Sequence, residues 1–333
     1  MTFKDLSEQI GVSTATISRV LTGRGYVKDE TKKMVEDALQ ASGYTYAGRK
    51  RSASSMKNTV LVITGDLYSA VFASYIRGIS SAVEASGKNV LIYYSNFQTD
   101  KEEAYLRIAG EEGFLGVVML NAVETSTIVE LINTLDCPVV MVNRHLSSVN
   151  TDVVAINNLR GGFIGTDYLI KHGHTRIAHL AGAKNSSTSQ ERLNGYRDAM
   201  NMASLPIAEN AIYYGDLNYS GGYAFGEMLC AMPAEERFTA VYSANAPMTM
   251  GMLDALFNGG LSVPEDISVV CMDNSSTLEN GRVKITVVDY DPEKMGVAAG
   301  ELLLYRIAYP ESEKRQVIYP PELIERNSVR KLS

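Results

Sequence analysis

From Thr59 onward the chain alternates short apolar runs with longer amphipathic stretches. VLVIT (60–64), VLIYY (90–94), GVVML (116–120), PVVMV (138–142) and VVAI (153–156) form one series. RIAHL (176–180), AIYYG (211–215), TAVYS (239–243) and ISVVC (267–271) form a second. Helical spacing fills the gaps, through Gly78 to Ser86, near 101–112 and near 125–135, then at 160–172, 190–203, 219–231 and 247–258. Strands that are apolar on both faces belong to parallel sheets covered by helices on both sides. Two series of four or five strands predict an α/β body of two doubly wound lobes. Ligands in such folds sit beyond the carboxyl ends of the strands, so two facing lobes imply a cleft.

The first forty residues follow a different period. Phe3 to Ile10 places Leu6 and Ile10 one turn apart, and Gly11 stops that helix. Ser13 suits the N-cap of a second helix from Thr14 to Leu21, whose inward face is Ile17, Val20 and Leu21. The glycines of Thr22-Gly23-Arg24-Gly25 end it. A third helix starts near Asp29-Glu30, acids that suit its positive N-terminus, and buries Val35, Ala38 and Leu39. Helix, glycine turn, then a helix with polar residues at its outward start is the helix-turn-helix plan, whose second helix enters the DNA major groove. Three short capped helices also make an ordinary helical bundle, so the pattern leaves both readings open. Residues 45–58, TYAGRKRSASSMKN, show no apolar period and form a linker.

Charge sharpens the division. Residues 1–57 hold ten Lys and Arg against six Asp and Glu, a net of +4, which leaves -11 for the rest of a chain whose total is -7. A basic head on an acidic body directs only the head at a polyanion. With 333 residues, 45% hydrophobic and 21% charged, the chain fits two or three globular domains. No apolar run is long enough to span a bilayer, and MTFKDLSEQI lacks a secretory core, so the expected location is the cytoplasm. Cys137, Cys230 and Cys271 are far apart in apolar stretches and read as free thiols.

The string FKDLSEQIGVSTATISRVLTGRGYVKDETKKMVEDALQASGY closely resembles the DNA-binding head of the lactose/galactose-repressor family of bacterial transcription regulators. DYLIKHGHTRIAHLAG (167–182), SQERLNGYRDAM (189–200), GDLNYSGGYAFGEML (215–229), GLSVPEDISVVCMDN (260–274) and YPPELIERNS (319–328) resemble further blocks of the family, in family order. The resemblance implies a helix-turn-helix head at 1–43, a hinge at 44–58 and a body at 59–333 like the periplasmic sugar-binding proteins. Its first lobe takes about 59–157 and 289–316, and its second about 158–288 and 317–333. It implies a homodimer on a pseudo-palindromic DNA operator, and a small effector, a sugar or sugar derivative, between the lobes. The function that follows is an effector-controlled regulator, most often a repressor of catabolic genes, with no cofactor.

Residue by residue, Thr14 and Ala15 fall at the base-reading pair that opens the recognition helix, with Arg19 at the family's arginine. Ser13, Thr16 and Ser18 suit phosphate oxygens, and Arg49 and Arg51 add phosphate neutralisation. Ala15 can touch a thymine methyl and makes no bidentate bond, so readout leans on Thr14 and Arg19. The hinge departs from the family: Pro-Asn is missing after Tyr44, and Ala53 replaces the leucine that wedges into the minor groove. Either Met56 substitutes or the operator is bent less. In the body, Arg192 and Asp273 match the family's ligand-binding arginine and aspartate, a forked donor and a paired acceptor suited to a polyol. Ser69 and Phe72 occupy the loop region after the first strand, Asn143 stands where an aspartate is usual, and Asn245 matches a pocket asparagine. Leu217 lies where purine-responsive members place an aromatic, which argues against a nucleobase.

Structural readings compete for each. Arg192 can pair with Asp198 or Glu191 on its own helix, Asp273 can cap a turn, and Phe72 and Tyr196 can be core. Arg160-Gly161-Gly162 can serve packing alone. His172 and His174 lack carboxylate or thiol company and read as structural. GAKNSST (182–188) lacks the phosphate-loop spacing, and neither a dinucleotide fingerprint nor a nucleophile elbow is present. The expectation is therefore no enzyme and no metal. The alternative function is a stand-alone solute-binding protein, which leaves residues 1–57 idle.

Overall fold

A computed structural model describes residues 3–22, 27–41, 56–184 and 186–332. The chain divides into two compact units, 1–55 and 56–333. In the first, α1 (Phe3–Ile10), α2 (Thr14–Thr22) and α3 (Asp29–Ala41) enclose Leu6, Ile17, Val35 and Leu39, with Ile10, Val12, Val20 and Ala38 packed around them. Ser13 caps α2: its Oγ accepts from the Thr16 amide at 3.1 Å.

The second unit opens with β1 (Thr59–Thr64), α4 (Ala70–Ala85), β2 (Asn89–Tyr94), α5 (Thr99–Glu112), β3 (Gly116–Met119), α6 (Ser126–Thr134), β4 (Val139–Val142) and β5 (Asp152–Ile156). There follow α7 (Asn158–Lys171), β6 (Ile177–Ala181), α8 (Ser187–Met202), β7 (Ile212–Tyr214), α9 (Tyr219–Ala231), β8 (Ala240–Ser243), α10 (Ala246–Asn258), β9 (Ser268–Met272) and α11 (Ser276–Asn280). The chain ends with β10 (Thr286–Asp289), α12 (Pro292–Ala308), β11 (Gln316–Tyr319) and β12 (Glu322–Ile324). Each lobe holds a six-stranded sheet, ordered β11-β5-β4-β3-β1-β2 in one and β12-β10-β9-β8-β6-β7 in the other. All pairings are parallel except β10 with β12. In each sheet one strand is a short terminal piece that apolar periodicity does not mark, and the second sheet also gains β10, which the sequence series ending at 267–271 leaves out. The last passage between lobes falls after Tyr319, three residues beyond the expected 316, because β11 pairs with β5 through that residue.

Three helix pairs cross at glycines, and two of these crossings carry site residues. On α7 and α8, a Cβ at Gly162 would collide with the Arg192 carbonyl, and one at Gly195 with that of Leu159. Gly161 and Gly162 thus serve packing, Gly162 against the backbone of Arg192 and Gly161 against the Met272 side chain. On α4 and α12, Gly78 faces the Glu293 carbonyl and Gly296 that of Tyr75. Close approach of this kind fixes the register of each pair, since a packed interior yields little to an added methyl. Among the described residues no helix is long and apolar enough to cross a membrane.

Candidate functional site

Both sheets expose a switch point, where neighbouring strands send their chains to opposite faces: between β1 and β3 in one lobe, between β6 and β8 in the other. A cavity of about 570 Å³ lies between the lobes at these ends, within the usual range for small-molecule sites. Ser69, Phe72, Asn143, Arg192, Asn245 and Asp273 all line it. They arrive on four loops and two helices, separated by up to two hundred residues of chain, and the fold brings all six to one wall system.

The Arg192 guanidinium, from α8, is nearly fully buried. Its Nε donates to Asn158 Oδ1 at 2.8 Å, Nη1 donates to the Ala244 carbonyl, and Nη2 lies 3.7 Å from Asp273 Oδ1. Neither Asp198 nor Glu191 is its partner. Two arms of the fork are thereby tied to the second lobe, while the third faces Asp273 at ion-pair distance. Asp273 follows β9 with φ 74, a left-handed conformation that is uncommon outside glycine and turns its carboxylate toward the cavity instead of along the strand. Tyr290, just after β10, donates its hydroxyl to Asp273 Oδ1 at 2.9 Å, and Tyr75 of α4 donates to Tyr290 at 3.2 Å. This chain of hydroxyls reaches from the first lobe to the second. Burial pushes the Asp273 carboxyl above the usual carboxylate range, with the Arg192 charge and the Tyr290 hydroxyl pulling it back. Burial lowers Arg192, but Asp273 and the surrounding tyrosines outweigh it, so the guanidinium stays charged.

The other members differ in how free they are. Asn245 is engaged at both ends of its amide: Oδ1 accepts from the Met248 amide, capping α10, and Nδ2 donates to the Leu217 carbonyl at 2.8 Å. It shapes the wall by holding that loop. Asn143, at φ 57, has a buried Oδ1 with no partner. The Ser69 amide donates to Asp66 Oδ1 at 3.0 Å, and its hydroxyl makes no cap hydrogen bond to α4. Phe72 is half-buried and edge-on to Tyr75 and Phe97, with ring centroids 6.3 and 6.0 Å apart, and so belongs to an aromatic group on the first lobe's side. Tyr196 is core, its hydroxyl donating to the Ile177 carbonyl at 2.9 Å. His174 is buried with both nitrogens bonded, to Thr239 Oγ1 and the Arg330 carbonyl.

Residue pattern missed four participants: Tyr75, Asn158, Tyr290 and Arg144. Tyr290 follows an apolar run, ITVVD (285–289), which marks it as a strand-end residue in hindsight. Arg144 adjoins Asn143 and has no signal apart from that neighbour. Of the proposed DNA contacts, Ser13, Thr14, Ala15 and Arg19 are exposed, and Thr16 is half-exposed with Oγ1 2.9 Å from Ser13 Oγ. The Ser18 side chain, Arg49 and Arg51, with Ala53, lie outside the described residues. Met56, the alternative wedge, packs against the core of the first lobe.

Comparison with known proteins carries the assignment further. Residues 2–46 match the family described as bacterial regulatory proteins, lacI family, and residues 166–329 match the periplasmic binding protein-like domain. The chain is 31% identical over 334 residues to the HTH-type transcriptional repressor PurR of Vibrio campbellii, covering 100% of this chain and 99% of that protein. Among solved structures it resembles a transcriptional regulator CelR-cellobiose complex, at 27% identity and TM-score 0.74, over 98% of this chain and 99% of that one. The lac repressor dimer bound to operator shares its fold, at 21% identity and TM-score 0.74, over 99% of both. A full-length relative at this identity, with a helical head and a two-lobed body, settles the class: the chain belongs to the lacI family of bacterial regulatory proteins, a DNA-binding transcription regulator with an effector-binding body.

Proposed function

We propose that this regulator is a homodimeric repressor of catabolic genes, acting in the cytoplasm on a pseudo-palindromic operator and controlled by a sugar or sugar derivative in the interlobe cavity. The observation that carries the reading is the buried Arg192–Asp273 pair facing a 570 Å³ cavity whose first-lobe side is aromatic. Forked donors beside paired acceptors match the alternating donors and acceptors of vicinal hydroxyls. Aromatic rings near Phe72 match the C–H face of a pyranose. Leu217 lines the cavity where an aromatic would be needed to stack a nucleobase, and a related regulator, CelR, is described in complex with cellobiose. Ser69, Phe72, Asn143, Arg192 and Asp273 are assigned to effector contact, and Asn245 to positioning the Leu217 loop. Ser13, Thr14, Ala15, Thr16, Ser18 and Arg19 are assigned to the duplex, with Arg49 and Arg51 on phosphates.

Control then works by population shift: effector binds unequally to two lobe arrangements and changes operator affinity by that difference. A gel-shift titration with the upstream DNA of the protein's own gene, with and without sugars, tests it. Arg192→Ala is expected to retain operator binding while losing the effector response. An unchanged response in the variant refutes the assignment.

A further inference from the structure

Three passages of chain join the lobes, after β5, after β10 and after β11. Tyr290 stands in the second of them, one residue beyond β10 and two before α12. Its hydroxyl is gripped from both sides. Tyr75, on α4 of the first lobe, donates to it at 3.2 Å, and it donates at 2.9 Å to Asp273 Oδ1, just after β9 of the second lobe. All three side chains are buried. Among the described residues no other side-chain hydrogen bond or ion pair runs from one lobe to the other. Arg77 pairs with Glu293 and Arg306 with Asp152 inside the first lobe, and Arg192 with Asp273 inside the second.

Both ends of this chain stand on rigid supports. A Cβ on Gly296 would collide with the Tyr75 carbonyl, so Tyr75 is pinned against α12. Asp291 Oδ1 accepts the Lys294 amide at 2.9 Å and fixes the start of α12 immediately after Tyr290. From the other lobe, Asp289 accepts the Tyr290 amide at 2.8 Å on Oδ1 and the Asn274 side chain at 3.0 Å on Oδ2. That ties Tyr290 to the loop that carries Asp273. When the lobes rotate about the passages, Tyr290 follows one of them. Either its bond from Tyr75 or its bond to Asp273 must then lengthen or bend, and a hydrogen bond weakens steeply on both counts. The loss is costly because the stranded groups are buried. Asp273 is also a wall of the cavity. Its Oδ1 takes the tyrosine, while Oδ2 takes no hydrogen bond among the described residues and is open to a ligand hydroxyl. Cavity occupancy and lobe arrangement meet on one side chain.

We infer that Tyr75 and Tyr290 form a latch between the lobes, whose hydroxyl chain to Asp273 favours the arrangement described here and so sets how far an effector shifts operator binding. This rests on the effector reading above and specifies its regulation, with Tyr75 as a positioning residue. Residue-resolved hydrogen–deuterium exchange of the full-length protein without ligand tests it. Tyr75→Phe and Tyr290→Phe are compared with Tyr196→Phe, which removes a buried hydroxyl inside the second lobe alone. The reporters are the passage amides of Asn157, which donates to the Tyr319 carbonyl, and of Tyr290 and Asp291. Exchange there is expected to quicken about threefold or more in Tyr75→Phe, and about tenfold or more in Tyr290→Phe, whose bond ends on a carboxylate. Strand amides of both lobes keep their rates, and Tyr196→Phe leaves the passages unchanged. The double variant matches Tyr290→Phe, since Tyr75 works only through that hydroxyl. Operator affinity on the gene's own upstream DNA, affinity for D-galactose or cellobiose, or both are expected to shift, since each draws on the lobe balance. Unchanged passage exchange overturns the latch, even where sugar binding is lost, and makes the tyrosines ligand contacts. Faster exchange throughout both lobes overturns it as well and makes them packing residues. So do faster passages with operator and sugar affinities both unaltered. If neither sugar binds the unsubstituted protein, the carbohydrate reading falls, while passage exchange and operator affinity still decide the latch.

Discussion

Replacing Glu102 by Gln is expected to stabilise the protein in alkaline solution and to do little in acid. Glu102 lies on α5 at 1% exposure. Oε1 accepts from Asn121 Nδ2 and from Ser95 Oγ at 3.3 Å, while Oε2 is buried without a hydrogen bond. Burial is the main reason its carboxyl rises from the ordinary 4.5 to about 7; the Ser95 hydroxyl, the Arg144 charge and the Val123 amide pull the other way. A raised value means that the folded state holds the proton more tightly than the unfolded state. The contribution is therefore favourable below about pH 4.5 and is lost as pH rises through 7. At about 1.36 kcal/mol per pH unit, discounted for relaxation around the charge, ionisation costs about 2–3 kcal/mol at pH 8. At pH 5 the cost is under about 1 kcal/mol. Glutamine has the shape of the protonated acid and never ionises. Calorimetric melts of both proteins at pH 5 and pH 8 should show a Tm gain of roughly 5 °C for the variant at pH 8 and a much smaller one at pH 5. An equal gain at both pH values would trace the effect to packing, and a loss at pH 8 would refute the argument outright.

Two further outcomes follow from packing and from the head. Gly162→Ala should push α8 away from α7 at the Arg192 carbonyl, costing about 2–3 kcal/mol in urea unfolding and weakening effector binding while leaving the operator affinity of folded protein intact. Arg19→Ala should lower the ratio of specific to random duplex binding at fixed salt by roughly tenfold or more, the value of one base-edge contact. An equal loss on both duplexes would place Arg19 on phosphates.

The lobes were legible because parallel strands buried on both faces leave an unmistakable apolar run, as at VLVIT and ISVVC, which lie in β1 and β9. Three strands escaped: β10, whose short apolar run TVVD lies outside the two series, and β11 and β12, which have half-exposed side chains and take their places by pairing with β5 and β10. The identity of β11 and β12 is tertiary, so no local pattern could announce it. Arg192 reaches the cavity wall for a related reason. Its position depends on Gly162 and Gly195, small residues whose spacing is visible, and on a helix whose register they fix.

Arg144 and Glu102 illustrate the opposite case. Each is an ordinary charged residue in sequence, one after a strand and one on a helix rich in acids. What distinguishes them is burial, and burial of these two follows from β2, β1, β3 and β4 ending side by side in that order, so that Ser95, Asn121 and Asn143 come to the same end of the sheet. A charge becomes informative only when its solvation is known. The resemblance to a family points to positions such as Arg192 and Asp273, which the fold brings to the cavity wall. Arg144 and Glu102 carry no such sign, and what surrounds them becomes known only once the strands are placed.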